Sequence, residues 1–160
     1  MPQKLKADIC ILGGGPGGVA IASLAAQMGA STVLIERGLM GGNRLNTGCV
    51  PSHALIAAAE AAYGIRKAAQ FGIAVSGAKT DFAAVNAHVK DIASKLAPND
   101  SVERLRAQGV QIIPAVARFK DRRTVLAGDL EFRCRAIVIA TGARHGAVDP
   151  GSCGYSLLHA

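Results

Sequence analysis

The 160-residue chain has little besides an apolar core to hold it together. Its four cysteines, Cys10, Cys49, Cys134 and Cys153, form no Cys-x-x-Cys pair and no repeating spacing. They indicate neither a zinc site nor a secreted disulfide framework, and they fit a reducing, cytoplasmic setting. Aromatic residues make up only 4% of the chain, and no nucleic-acid-binding motif accompanies its net charge of +7. The cations Lys120, Arg122, Arg123, Arg133, Arg135 and Arg144 are scattered among strand-like segments, so they read as a solvated face rather than a nucleic-acid footprint. Charge is missing altogether between Asp8 and Glu36. That span is nevertheless no membrane anchor or signal peptide, because residues 13–18, GGGPGG, set Pro16 and five glycines in its interior, where a spanning helix or a uniform apolar signal would be broken. Internal repeats, low-complexity tracts and long linkers are also absent.

What is present is enough apolar material for one domain: half of the residues are hydrophobic, and a chain of this length buries a core without metal or disulfide staples. Residues 7–12, ADICIL, predict a strand; Val19 to Met28, rich in Ala and stopped by Gly29, predict a helix; residues 31–36, STVLIE, predict a second strand. Together they make a βαβ unit. A second helix is expected from Pro51 to about Gln70, closed by Phe71-Gly72, with Pro51 at the first helical position. A third starts at Asp81 as N-cap, breaks at Pro98, and continues from Ser101 to Gly109. Beyond Val110, VQIIPAVARF, TVLA and LEFRC predict an antiparallel meander with Gly128-Asp129 as a two-residue turn, and AIVIATG, residues 136–142, a separate buried strand ending in a glycine turn.

The first βαβ unit carries the clearest chemistry. Gly13-x-Gly15-x-x-Gly18 follows a strand and opens a helix, and Glu36 ends the next strand, eighteen residues beyond Gly18. Gly13 permits a tight turn, Gly15 lets a pyrophosphate approach the backbone, and Gly18 lets helix and strand pack closely. The helix start adds unpaired N–H groups and the positive end of its dipole. Glu36 can accept from both ribose hydroxyls and disfavours a 2′-phosphate, so FAD or NAD is expected rather than NADP.

Residues 41–53, GGNRLNTGCVPSH, resemble the redox segment of the pyridine nucleotide-disulfide oxidoreductases, whose pattern is G-G-x-C-x-N-x-G-C-[VI]-P-S-K. The resemblance covers essentially the whole chain, from the Gly13–Gly18 turn and Glu36 to Ala140-Thr141-Gly142, and residues 81–85 and 99–110 look most like the mercuric-reductase-like branch. It implies an α/β, Rossmann-like fold: a parallel sheet flanked by helices, with an antiparallel β-meander on one face, incomplete relative to the family. It also implies FAD, with Gly13, Gly15 and Gly18 at the pyrophosphate and Glu36 at the adenosine ribose. Pro16, Gly17, Arg37, Gly42, Asn43, Gly48, Cys49, His53, Ala140, Thr141 and Gly142 complete the implied cofactor-binding set.

Two departures stand out. Arg44 replaces the family's first cysteine and His53 its flavin-side lysine, while Cys49 matches the second cysteine and is the candidate catalytic residue. Without a thiol at position 44 no dithiol couple can form. Cys49, ahead of the helix that begins near Pro51 and five residues from Arg44, is a candidate reactive thiol. His53 reads as a helix-start histidine before it reads as a stand-in for lysine, and His88, His145 and His159 have no metal-ligand spacing, so no metal is expected.

The chain is also expected to depart from the family in length: nothing here corresponds to the family's NAD(P) and dimerisation domains. The expectation is an FAD-binding domain over residues 1–146 with a terminal linker over 147–160. NAD(P)H would act through segments not present, and an incomplete sheet edge would invite self-association. The chain is expected to be the FAD-binding portion of an oxidoreductase, or else a dinucleotide-binding module or remnant without turnover.

Overall fold

The computed structural model describes residues 2–143. Cys153, His145, His159, Arg144 and the expected linker at 147–160 lie outside the described residues. The elements run β1 (Gln3–Leu12), α1 (Pro16–Gln27), β2 (Thr32–Glu36), α2 (Gly42–Asn46), α3 (Cys49–Lys67), α4 (Phe82–Leu96), α5 (Val102–Ala107), β3 (Gln111–Pro114), β4 (Ala117–Asp121), β5 (Thr124–Ala127) and β6 (Leu130–Ile139), with single 3-10 turns at Ala68–Phe71 and Ala97–Asp100.

All six strands belong to one sheet of order β3-β2-β1-β6-β5-β4. β3, β2, β1 and β6 run parallel, and β4, β5 and β6 form the antiparallel meander. This is the expected α/β, Rossmann-like architecture, with three differences of detail. The QIIP part of the first meander segment leaves the meander and pairs parallel with β2, its end held where the Ala115 amide donates to the Glu36 carbonyl at 3.1 Å. LEFRC and AIVIATG merge into the single strand β6, which pairs with β1 along nearly its whole length. Ala136 and Ile139 are exposed rather than buried, because past Arg133 only β1 pairs with β6 among the described residues.

The chain's connectivity forces the sheet to roll. β3 ends at Pro114 and β4 starts at Ala117, three residues later, a step that spans at most about 11 Å. The two strands are opposite edges of the sheet, which if flat would lie roughly 24 Å apart. Coiling brings the meander over one face of the parallel strands, so Val125, Ala127 and Phe132 pack in one cluster with Cys10, Leu12, Val33 and Ile35. The other face carries Ile11 and Leu34 against Val19 and Ala22 of α1 and Leu105 of α5.

β1 and β6 exchange faces at the same level. Leu5 and Ala7 point inward before Asp8, whereas Cys10 and Leu12 do so after it; Phe132 and Cys134 point inward before Arg135, and Ile137 after it. At the switch the Asp8 and Ile9 amides both donate to the Ser31 carbonyl, at 2.9 and 3.1 Å, as at a β-bulge. Asp8 also accepts from Ser31 Oγ at 2.8 Å and from Arg135 at 3.4 Å.

The helices follow their local signals closely. Asp81 caps α4 by accepting from the Ala83 and Ala84 amides, and Ser101 caps α5 by accepting from Arg104. α1 starts three residues before the predicted Val19, with Pro16 at its first position. α3 starts at Cys49, and its first backbone bond runs from the Ser52 amide to the Gly48 carbonyl at 3.0 Å. Pro51 is thus its third residue, tolerated because first-turn N–H groups have no intrahelical acceptor. The expected loop ahead of it contains α2, anchored by buried Leu45 and by Asn46 Nδ2 donating to the Met40 and Gly42 carbonyls. α3 and α4 pack chiefly on one another, and of their residues only Ala54 is buried.

Candidate functional site

The glycine turn lies where β1 ends and α1 begins, at the carboxyl edge of the parallel strands. Gly13 has φ +114°, and a Cβ there would overlap the Ala140 carbonyl; only glycine combines that backbone with that approach. A Cβ at Gly18 would run into the Gly13 carbonyl, so this glycine serves the packing of helix on strand. Gly15 differs from both. It has an ordinary φ of −74°, and a Cβ there meets nothing within 4 Å. The protein therefore gives no internal reason for glycine at position 15, and the space above it is open to a ligand.

That space is a cleft of ≈ 930 Å³ lined by Gly15, Pro16 and Gly17 on one side, Glu36 and Arg37 at the end of β2, Gly42 and Asn43 of α2, and Ala140, Thr141 and Gly142 after β6. Gly15 is the N-cap of α1 and offers no side-chain cap, so first-turn amides and the dipole's positive end face the cleft. Glu36 is engaged already: Oε2 accepts from the Gly14 amide at 2.5 Å and Oε1 from the Gly38 amide at 2.6 Å. Asn43 Nδ2 donates to the Ala143 carbonyl at 2.7 Å and links α2 to the segment after β6.

The remaining predicted residues lie elsewhere. Gly48 packs against the Asn43 carbonyl, where a Cβ would come within 2.9 Å. Cys49 is exposed on the first turn of α3 and His53 is exposed one turn on, its Nδ1 at 2.6 Å from the Cys49 carbonyl. None of the three lines the cleft. Arg44 does, half-exposed, with Nη2 at 3.0 Å from Oδ2 of the buried Asp100. The Arg44 guanidinium is thus engaged with a carboxylate brought in from the turn after α4. Asp100 gave no sign of this in the sequence, since only the fold brings the 3-10 turn after α4 beside α2. Gly38, Leu39, Asn46 and Thr47 also line the cleft unforeseen, although the last two belong to the segment already singled out.

Cys10 and Cys134 are buried neighbours in the rolled core. Burial, and secondarily the adjacent Cys134, pushes the Cys10 thiol up to about 12; burial likewise raises Cys134. Neither can replace a thiol at position 44.

Residues 7–155 match the family described as pyridine nucleotide-disulphide oxidoreductase. The chain belongs to that family. Dihydrolipoyl dehydrogenase of Pseudomonas aeruginosa is 35% identical over 152 residues, covering 90% of this chain and 32% of the relative. Dihydrolipoyl dehydrogenase 2 of Haloarcula marismortui is also 35% identical over 152 residues, covering 90% of this chain and 31% of that protein. Mercuric reductase of Streptomyces lividans is 38% identical over 115 residues, 71% of this chain and 24% of that enzyme. The chain thus spans about a third or less of the length of the curated relatives it matches. FAD is the cofactor of this oxidoreductase family, and the cleft fits it: an uncapped helix start, an open Gly15 and a carboxylate at the end of β2 stand together. No helix of the described residues is long and apolar enough to cross a membrane, and no group of three or more His, Cys, Asp and Glu side chains among them is placed to hold a metal ion.

Proposed function

We propose that this chain forms the FAD-binding part of an NAD(P)H-dependent oxidoreductase in which no thiol at position 44 takes part. The observation that carries the reading is the open space over Gly15 at the uncapped start of α1. In this reading the first-turn amides of α1 hold the pyrophosphate, and Gly15 and Gly17 keep side chains out of its path. Glu36 turns from the Gly14 and Gly38 amides toward the adenosine ribose, with Arg37 beside it. Gly42, Asn43 and the 140–142 segment bound the far side of the cleft. Bound FAD would accept a hydride and pass electrons on. Cys49 and His53 remain candidates for contact with it and Cys49 for catalysis, supported by their place in the segment that resembles the family's redox loop. The arginine at position 44, which offers no thiol, supports an electron exit that does not use the family's dithiol exchange.

NAD(P)H, and a reducing cytoplasmic setting in which Cys10, Cys49 and Cys134 stay free, belong to the same proposal. Self-association does too: the edge of β6 past Arg133, unpaired among the described residues, and apolar side chains on the α3–α4 pair, such as Ile56 and Tyr63, are surfaces that a second copy could cover.

The test is reconstitution with FAD, read by visible absorbance and calorimetry. Wild-type protein should take up one flavin per chain. Gly15→Val should weaken uptake at least tenfold while the variant still folds, since a Cβ at this position meets no protein atom within 4 Å. A folded wild-type sample that stays colourless, or a Gly15→Val variant that binds as well, would overturn the assignment.

A further inference from the structure

The cations that are scattered along the sequence converge in space. Lys4 and Lys6 project from the amino end of β1, Arg133 stands on β6 directly beside Lys6, and Arg122-Arg123 form the two-residue turn between β4 and β5. Together they line a cleft of ≈ 740 Å³ on the outer side of the rolled sheet. It lies at the opposite end of β1 from Gly13, on the order of 20 Å along the strand. Five cationic side chains face only two carboxylates there. Glu131 is already paired with Lys120 at 2.8 Å, and Asp121 accepts from the Arg123 amide at 2.8 Å. Among the described residues Lys4, Lys6, Arg122, Arg123 and Arg133 form no ion pair.

This arrangement works against the fold. Lys6 and Arg133 are register partners on the adjacent parallel strands β1 and β6, and like charges held side by side repel one another. An anion between them would remove the repulsion. The three guanidinium groups can bind phosphate oxygens in bidentate fashion, and the cleft lining contains no aromatic ring on which a base could stack.

We propose that this cleft binds a small, multiply charged phosphate anion, held by Lys4, Lys6, Arg122, Arg123 and Arg133 and recognised by its phosphates alone. Two signs then oppose each other. Neutralising one cation weakens anion binding and at the same time stabilises the anion-free protein.

The experiment is calorimetric titration of the full chain with tripolyphosphate, paired with thermal unfolding with and without the anion. Wild type should bind one tripolyphosphate saturably and unfold at a higher temperature with it. Arg133→Gln, and independently Arg122→Gln at the exposed turn, should lower affinity at least tenfold; Arg133→Gln should also unfold at a higher temperature than wild type when no anion is present. Arg66→Gln, which removes an exposed charge on α3, should change neither quantity. The proposal is overturned by unsaturable binding, by an equal loss in Arg66→Gln, or by a lower anion-free unfolding temperature in Arg133→Gln. It is also overturned if a mixed-sequence single-stranded oligonucleotide binds the same residues more tightly than tripolyphosphate, which would make the face a nucleic-acid surface. FAD uptake at the other end of β1 is read separately, so failure here leaves that assignment standing.

Discussion

The rolled sheet with α1 and α5 and the α3–α4 pair have similar fractions of hydrophobic residues but dispose of them differently. In the sheet body Phe132, Ile11, Leu34, Leu105 and Val125 are essentially inaccessible. In the helical pair Leu55, Ile56, Tyr63, Ile65 and Phe82 are all substantially exposed. Stability in isolation therefore resides in the body, and the helical pair presents surface for something else to cover. Helices of this kind gain most of their stability from packing an apolar face, and here they have chiefly each other.

The largest expected effect separates the two regions most directly. Phe132→Ala empties the centre of the roll and should destabilise the protein by about 3–5 kcal/mol. Ile56→Ala, at 52% exposure on α3, should change stability by no more than about 0.5 kcal/mol. Denaturant unfolding measures both, and similar losses would show that the helical pair is buried in solution, as self-association would require.

An intermediate effect is expected at the joint between the regions. Arg44→Ala leaves the buried Asp100 carboxylate without its only side-chain partner among the described residues, which should destabilise by about 1–3 kcal/mol. Adding Asp100→Asn should recover part of the loss. A double-mutant cycle reads the coupling, and strict additivity would mean that the pair does not tie α2 to the turn after α4.

The smallest effect belongs to the body's surface. Bonds from Ser31, first from its hydroxyl and then from its amide, with Arg135 a lesser contributor, hold the exposed Asp8 carboxyl below the ordinary 3.8. A carboxyl depressed in the folded state stabilises above its unfolded value and loses that contribution as pH falls through its folded value. Asp8→Asn should therefore flatten the decline of unfolding temperature below pH 3.8, and wild-type and variant curves of identical slope there would remove Asp8 from the switch between strand faces.

How much was legible in the sequence follows the same division. The βαβ unit, the Asp81 and Ser101 caps and the Gly128-Asp129 turn depend on neighbours a few residues apart, and each stands where its residues indicated. Among the site residues, Gly15, Glu36 and the 140–142 segment were found through a motif whose spacing reflects backbone geometry, and they line one cleft. The pairing of QIIP with β2 was not legible, because a four-residue apolar strand carries no mark of its partner's direction. Nor was the fate of Arg44 legible, since its partner lies fifty-six residues away.

By itself the sequence determined the α/β architecture, the glycine turn with its acidic partner and the absence of a thiol at position 44, because each is a matter of residue type at short range. Only the tertiary structure decided that Arg44 is bound to Asp100, that scattered cations share one cleft, and that the sheet rolls until its edges can be joined by two residues. Those outcomes depend on which distant strands become neighbours, and strand pairing is settled by the packing of the whole core.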